Sequence, residues 1–179
     1  MRIISGRHRG KRIIAPKKLP ARPTTDMVKE ALFNILHNSY TFENIRVLDL
    51  YAGTGNISYE FASRGVPEII AVDADARCAH FIATTAKQLE APIQVIKLDA
   101  IRYLKRAIGK YDIIFADPPY DLPLEEMAKI PEMVFAGDLL SDEGILILEH
   151  SKHLALEELP GHVESRKYGG SVLSFFESK

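Results

Sequence analysis

Apolar positions along this chain change their spacing several times, and each change marks an element. Near the start, two apolar pairs, Ile3–Ile4 and Ile13–Ile14, flank the polar stretch Gly6-Arg7-His8-Arg9-Gly10. Apolar arms around a glycine-bounded turn predict a β-hairpin over residues 2–15. Pro16, Pro20 and Pro23 then mark a linker, because proline cannot donate a backbone hydrogen bond. Val28, Ala31, Leu32, Ile35 and Leu36 follow the spacing i, i+3, i+4, i+7, i+8. That stripe predicts an amphipathic helix, with Thr24 or Thr25 as its N-cap and Asp26 in the electropositive first turn.

From Arg46 onward, short apolar runs alternate with helical stretches. Strands are predicted at 47–50, 69–72, 93–98, 113–116 and 144–149. Helices are predicted at 57–64, roughly 75–90, 101–107 and within 124–140, and Gly65 can close the first in a left-handed cap. The strand runs are nearly continuous rather than alternating, as in a parallel sheet covered on both faces. At the end, 163–168 and 172–176 flank Gly169-Gly170 and predict an antiparallel hairpin. The expected architecture is a doubly wound α/β sheet preceded by a basic hairpin and a helix, with no internal repeat.

The 179 residues are enough for one domain with a substantial core, and no apolar run is long enough to span a bilayer. One cysteine, Cys78, leaves no internal disulfide and no cysteine-rich zinc site. The six histidines show no metal-ligand spacing, so no metal is expected, and His80 and His150 read as surface or packing residues. Net charge is −1, but it is unevenly spread. Residues 1–22 carry Arg2, Arg7, Arg9, Lys11, Arg12, Lys17, Lys18 and Arg22 with no acid, a charge of +8, against 15 basic and 24 acidic residues in 23–179, a charge of −9. A charge run alone is usually a solvated face. A basic arm on an acidic body, however, suits a polyanion, since each Lys or Arg that meets a phosphate releases counterions. The division expected is therefore 1–22 as a basic hairpin and linker that contacts the polyanion and 23–179 as the main domain. Arg7, His8, Arg9, Lys11, Arg12, Lys17, Lys18 and Arg22 are the candidate contacts.

In open α/β sheets, ligands sit beyond the carboxyl ends of the strands. The first strand leads into Asp49-Leu50-Tyr51-Ala52-Gly53-Thr54-Gly55, a turn whose glycines let a ligand approach the backbone. A Gly-x-Gly turn alone is weak evidence, but Asp73 ends the second strand and Asp99 follows the third. Three carboxylates converging on one rim repel each other and suit a ligand rich in hydroxyls, amines and positive charge. Asp73 could take ribose hydroxyls, Asp99 an adenine amine and Asp49 an ammonium, which fits S-adenosylmethionine. Tyr51, Ala52, Gly53, Thr54, Gly55 and Ala100 complete the candidate cofactor set. A nicotinamide dinucleotide fits less well: Ser58 stands where the third fingerprint glycine belongs, and no phosphate-cradling motif is present.

The fourth strand ends in Asp117-Pro118-Pro119-Tyr120. An exocyclic amine on a purine is a poor nucleophile because its lone pair is delocalised into the ring. Two acceptors aimed at its hydrogens, the Asp117 carboxylate and the Pro118 carbonyl, favour pyramidal nitrogen. Proline fixes its own φ and restricts the preceding residue, which holds the acceptors rigid in advance. Tyr120 offers a face for base stacking, worth ~1–3 kcal/mol. In an arbitrary protein this tetrapeptide would be a stiff turn; after the acidic strand ends it reads as a catalytic loop. A base inside a duplex must be flipped out or come from a loop.

These residues resemble the RsmD-type bacterial 16S rRNA guanine-N2-methyltransferases across essentially the whole chain. The resemblance rests on Arg2-Ile3-Ile4-Ser5-Gly6, Arg9-Gly10-Lys11, Arg22-Pro23-Thr24-Thr25-Asp26, Lys29-Glu30-Ala31-Leu32-Phe33-Asn34, the Asp49–Gly55 turn, Ser63-Arg64-Gly65, Asp99-Ala100 and Asp117–Tyr120. It implies a class I methyltransferase, Rossmann-like sheet of seven strands with the last antiparallel. It also implies Gly53, Gly55, Asp73 and Asp99 around S-adenosylmethionine and residues 117–120 at the target amine. The expected partner is 16S rRNA, naked or in the small subunit, and the expected state a cytoplasmic monomer. The Asp-Pro-Pro-Tyr motif does not by itself choose the base. An adenine-N6 DNA methyltransferase, a small-molecule methyltransferase and a non-catalytic RNA-binding module remain alternatives.

Overall fold

The computed structural model describes residues 1–22 and 24–178. Pro23 of the linker and Lys179 lie outside the described residues. The elements follow in the order α1 (Asp26–His37), a short 3-10 turn (Phe42–Asn44), β1 (Arg46–Leu50), α2 (Asn56–Ser63), β2 (Glu68–Asp73), α3 (Ala76–Gln88), β3 (Ile93–Lys97), α4 (Ala100–Arg106), β4 (Tyr111–Ala116), α5 (Leu124–Ala136), β5 (Leu140–Ser151), β6 (His162–Tyr168) and β7 (Ser171–Phe176).

The strands form one sheet in the order β3-β2-β1-β4-β5-β7-β6. The first five are mutually parallel, and β7 runs antiparallel to both β5 and β6. This is the seven-stranded sheet that the resemblance implies. The pleat sends successive side chains to opposite layers. Val47 joins Val28, Leu32, Phe33 and Phe61 under α1 and α2. Leu48 and Leu50 join Ile130 and Val134 under α5. Chain order reverses between β1 and β4, so their carboxyl ends open the crevice where doubly wound sheets bind ligands.

At the start of α1, Thr25 is the N-cap and its hydroxyl accepts from the Val28 amide at 3.2 Å. Gly65 takes the left-handed conformation after α2, with φ +101°. Strand β5 begins at Leu140 rather than 144, because Leu140 pairs with Tyr111 before a register shift. The polar run Ser141-Asp142-Glu143 masked that extension, yet the Ser141 hydroxyl donates to Asp112 at 2.7 Å.

The amino-terminal hairpin is looser than a two-stranded ladder. A single bridge, Arg2 to Arg12, is supported by bonds from the Ile3 amide to the Lys11 carbonyl (2.9 Å) and from the Ile13 amide to the Met1 carbonyl (2.9 Å). Its stability comes from docking. Ile3 and Ile13 are buried in one cluster with Tyr59, Ala71, Ile82 and Leu89. The Glu60 carboxylate accepts from the Ile4 amide (2.9 Å) and the Ser5 amide (3.0 Å). The Arg7 amide donates to the Ser63 carbonyl at 2.7 Å. Gly6 makes that approach possible: a Cβ there would lie 1.9 Å from the Ser63 carbonyl oxygen.

Candidate active site

A cavity of about 510 Å³ opens over the carboxyl ends of the strands. Its walls come from four places: the turn after β1, the ends of β2 and β3, the loop after β4, and the linker residues Pro20, Ala21 and Arg22. Of the candidate cofactor residues, Asp49, Tyr51, Ala52, Gly53, Thr54, Asp73, Asp99 and Ala100 line it, as do Asp117, Pro118, Pro119 and Tyr120. Gly55 does not line the cavity. It precedes α2 with φ +83°, and a Cβ there would fall 2.5 Å from the Tyr59 ring.

The three strand-end carboxylates differ in setting. Asp49 is buried on β1 and accepts from the Ser58 hydroxyl at 2.6 Å; burial pushes its carboxyl up to about 7 against the pull of that bond. Asp73 is half-buried and accepts from the Gly53 amide (2.7 Å) and the Asp75 amide (2.9 Å), and burial raises it as well. Asp99 caps α4 by accepting from the Arg102 amide at 2.9 Å. Asp75, which also lines the cavity, caps α3 and pairs with Arg77 at 2.8 Å. These acids share the cavity with Asp117, and Asp49, on the strand next to β4, is near enough to raise the Asp117 carboxyl.

Asp117 lines the same cavity from the loop after β4. Its Oδ1 is buried without a hydrogen-bond partner. Burial pushes the carboxyl well above the usual range, the neighbouring Glu149 adds to that push, and Arg22 opposes it. Glu149, on β5, is only 1% exposed, and its Oε2 is likewise buried and unpartnered. Burial raises its carboxyl too, again against Arg22. The Arg22 guanidinium lies between the two, with Nη2 3.6 Å from Asp117 Oδ1 and 3.8 Å from Glu149 Oε1. Its Cζ sits 3.2 Å from the centroid of the Tyr120 ring. The Tyr120 hydroxyl bonds the Ser171 hydroxyl at 2.6 Å, tying the loop to β7.

Arg22, one of the candidate RNA contacts, therefore points into the cavity. Arg7 pairs with Glu90 at 3.3 Å on the surface. The His8 amide donates to the Ser63 hydroxyl at 2.9 Å. Arg9, Lys11, Arg12, Lys17 and Lys18 are exposed on the hairpin and linker. Sequence reasoning missed Glu149, although the signal was present: it ends the apolar run Ile145–Leu148 as Asp73 and Asp117 end theirs. Cys78 is buried on α3, away from the cavity wall, and burial pushes its thiol up to about 11. Among the described residues, no cluster of His, Cys, Asp and Glu is grouped to hold a metal ion. No helix among them is long and apolar enough to cross a membrane.

Known proteins bear on this geometry. A family model described as "Conserved hypothetical protein 95" matches residues 1–177. The protein YlbH of Bacillus subtilis is 34% identical, with 100% of each chain covered. The ribosomal RNA small subunit methyltransferase D of Escherichia coli is 28% identical over 96% of this chain and 86% of its own. A solved structure, a hypothetical protein of Thermus thermophilus, superposes with a TM-score of 0.85 at 28% identity, covering 99% of each chain.

Proposed function

We infer the function of this chain from the family described as Conserved hypothetical protein 95, to which it belongs as an RsmD-type methyltransferase. The reaction we assign is S-adenosylmethionine-dependent methylation of the exocyclic N2 amine of a guanine in 16S rRNA. The ribosomal RNA small subunit methyltransferase D of Escherichia coli supports the substrate class. The observation that carries the reading is Asp117: a buried carboxylate oxygen without a partner, on a loop that also brings Tyr120 to a cavity lined by Asp49, Asp73 and Asp99.

The residues present fit S-adenosylmethionine. A cavity of about 510 Å³ is within the range of small-ligand sites. The Asp73 and Asp99 carboxylates suit ribose hydroxyls and an adenine amine, and Asp49 suits an ammonium. Bound there, the cofactor supplies a sulfonium-activated methyl that a nitrogen can take in one in-line displacement. The chain's own contribution is positioning and charge. Pro118 and Pro119 stiffen the loop, so the Asp117 carboxylate and the Pro118 carbonyl wait in place for the amine's hydrogens. Tyr120 stacks the base and limits its tilt. Asp117 need not remove a proton before attack, since water can take it afterwards. Residues 1–22 serve as the RNA-gripping extension, with Arg9, Lys11, Arg12, Lys17 and Lys18 meeting phosphates. The protein acts as a cytoplasmic monomer.

Incubation with radiolabelled S-adenosylmethionine and undermodified ribosomal RNA, assembled small subunits or DNA, followed by nucleoside analysis, tests this. Label in N2-methylguanosine is expected. Label in N6-methyladenine would assign an adenine methyltransferase instead, and no transfer to any substrate would leave a binding module.

A further inference from the structure

The group that occupies the space above Tyr120 is a guanidinium, and its neighbours are unusual. Its carbon lies over the ring at 3.2 Å from the centroid, and the group is at ion-pair distance from two carboxylates, the buried Glu149 and the partly exposed Asp117. Each of those carboxylates also has a buried oxygen without a hydrogen bond, Asp117 Oδ1 and Glu149 Oε2. Buried acceptors left unpaired are costly, and a native fold keeps few of them. Two at one spot, beside an arginine from a linker, mark a site built for donors that arrive from outside.

The shape and polarity of the occupant indicate which donors. A guanidinium is a planar carbon bearing three nitrogens, with hydrogens directed outward. Among the four nucleobases only guanine contains that unit, because its C2 carries N1, N2 and N3. Its N1–H and one N2–H point the same way, and the second N2–H lies in the same plane on the N3 side. Adenine offers an amine beside N1, but that N1 is an acceptor and would set a lone pair against a carboxylate. Cytosine has the same defect at N3.

We propose that Arg22 occupies the subsite for the guanine N1–C2–N2 edge, and that Glu149 selects guanine there by accepting N1–H while Asp117 accepts from N2. This rests on the guanine-N2 reading above and deepens it, since Asp117 and Tyr120 are shared by both. In the resting protein Arg22 neutralises the pair; the incoming base stacks on Tyr120 in its place and the arginine swings out toward the nucleic acid. Glu149 thus becomes a specificity-determining residue on β5 in addition to the loop after β4.

The test compares two RNAs carrying the methylated site, located by mapping the label to sequenced RNA fragments, one with guanine and one with 2-aminopurine at that position. 2-Aminopurine keeps the N2 amine but has a bare N1. The native protein should prefer guanine by about tenfold to a hundredfold in kcat/KM, the discrimination expected of one well-formed pair of base-edge hydrogen bonds. Glu149→Gln should reduce that preference to within a few-fold, because an amide can accept from N1–H or donate to a bare N1. The missing O6 of 2-aminopurine affects both proteins alike, so the change in ratio reports on N1. An unchanged ratio in Glu149→Gln, with N2-methylguanosine still formed, overturns the role of Glu149 and leaves the methyltransferase reading standing. Label in adenine alone would instead remove the reading on which it rests. A second measurement does not depend on that variant folding. Arg22→Ala should bind free guanosine at least several-fold more tightly than the native chain, and 2-aminopurine riboside no better. Equal gains for both nucleosides, or none for guanosine, would place the base elsewhere.

Discussion

Glu60 and the Asp117–Glu149 pair are carboxylates largely withdrawn from solvent, yet their surroundings are opposite. Glu60 accepts from two backbone amides of the hairpin and from Arg64 Nε at 3.0 Å, with Lys29 Nζ 3.6 Å away. Lys29 is itself fully buried and donates to the Arg2 carbonyl (2.6 Å) and to Asn56 (2.8 Å). Burial pulls its ammonium pKa down while Glu60 pulls it back up. Every strong donor there has a protein acceptor within this chain. At Asp117 and Glu149, two oxygens are left over and a single exposed arginine is shared between two acids. A satisfied buried charge network holds a fold together, whereas an unsatisfied one is a place where something else binds.

The comparison is sharpest at the two carboxylates themselves. Glu60→Ala removes the hairpin's anchor and leaves Lys29 uncompensated, so stability should fall by about 3–5 kcal/mol, lowering Tm on the order of 10 °C. Thermal unfolding measures this directly, and an unmoved Tm would mean the hairpin is held by Ile3 and Ile13 alone. Asp117→Ala should do the reverse. Methyl transfer falls by about 100- to 1000-fold while Tm stays level or rises and cofactor affinity changes by no more than a small factor. If Tm collapsed as for Glu60, the contrast between the two regions would be lost.

Asp49 stands between these extremes, with one partner and complete burial. Its folded-state carboxyl is raised to about 7 from 3.8, so protonated Asp49 favours the fold. That contribution is complete below the unfolded value near 4 and is lost as pH rises through 7. Asp49→Asn should accordingly raise Tm by several degrees at about pH 8, with the gain shrinking toward about pH 4; a pH-independent gain would argue against a titrating carboxyl. The smallest effect belongs to the hairpin surface that Glu60 secures. Reversing the charge of Arg9 and Lys11 should make the salt dependence of RNA binding shallower, by somewhat under about 1 in log–log slope per lost phosphate contact. An unaltered slope in a filter-binding titration would separate the hairpin's anchoring from any role in gripping RNA.

Much of this was legible in one dimension because its causes are local. Apolar runs set the parallel strands, Thr25 announced the start of α1, and Gly169-Gly170 announced the β6–β7 turn. Acids at strand ends located the cavity. What was hidden depends on partners distant in sequence. Ser141 and Asp142 look like a loop until Tyr111 pairs beside them. Glu60 looks like a surface helix residue until Ile4 and Ser5, more than 50 positions away, bring their amides to it. Arg22 counts as one more positive charge in a basic arm, and no tally of charge reveals that it faces inward onto Tyr120. Glu149 was the one avoidable omission, since it obeys the same strand-end rule as Asp117.

The single buried cysteine has a practical consequence. A thiol pushed up to about 11 is almost never thiolate at neutral pH, and thiolate is the reactive form. Maleimides and mild oxidants therefore find no ready target on the native chain. A cysteine introduced at Arg9, on the hairpin tip, becomes a unique attachment point for a fluorophore that can report on how this tip moves when nucleic acid arrives.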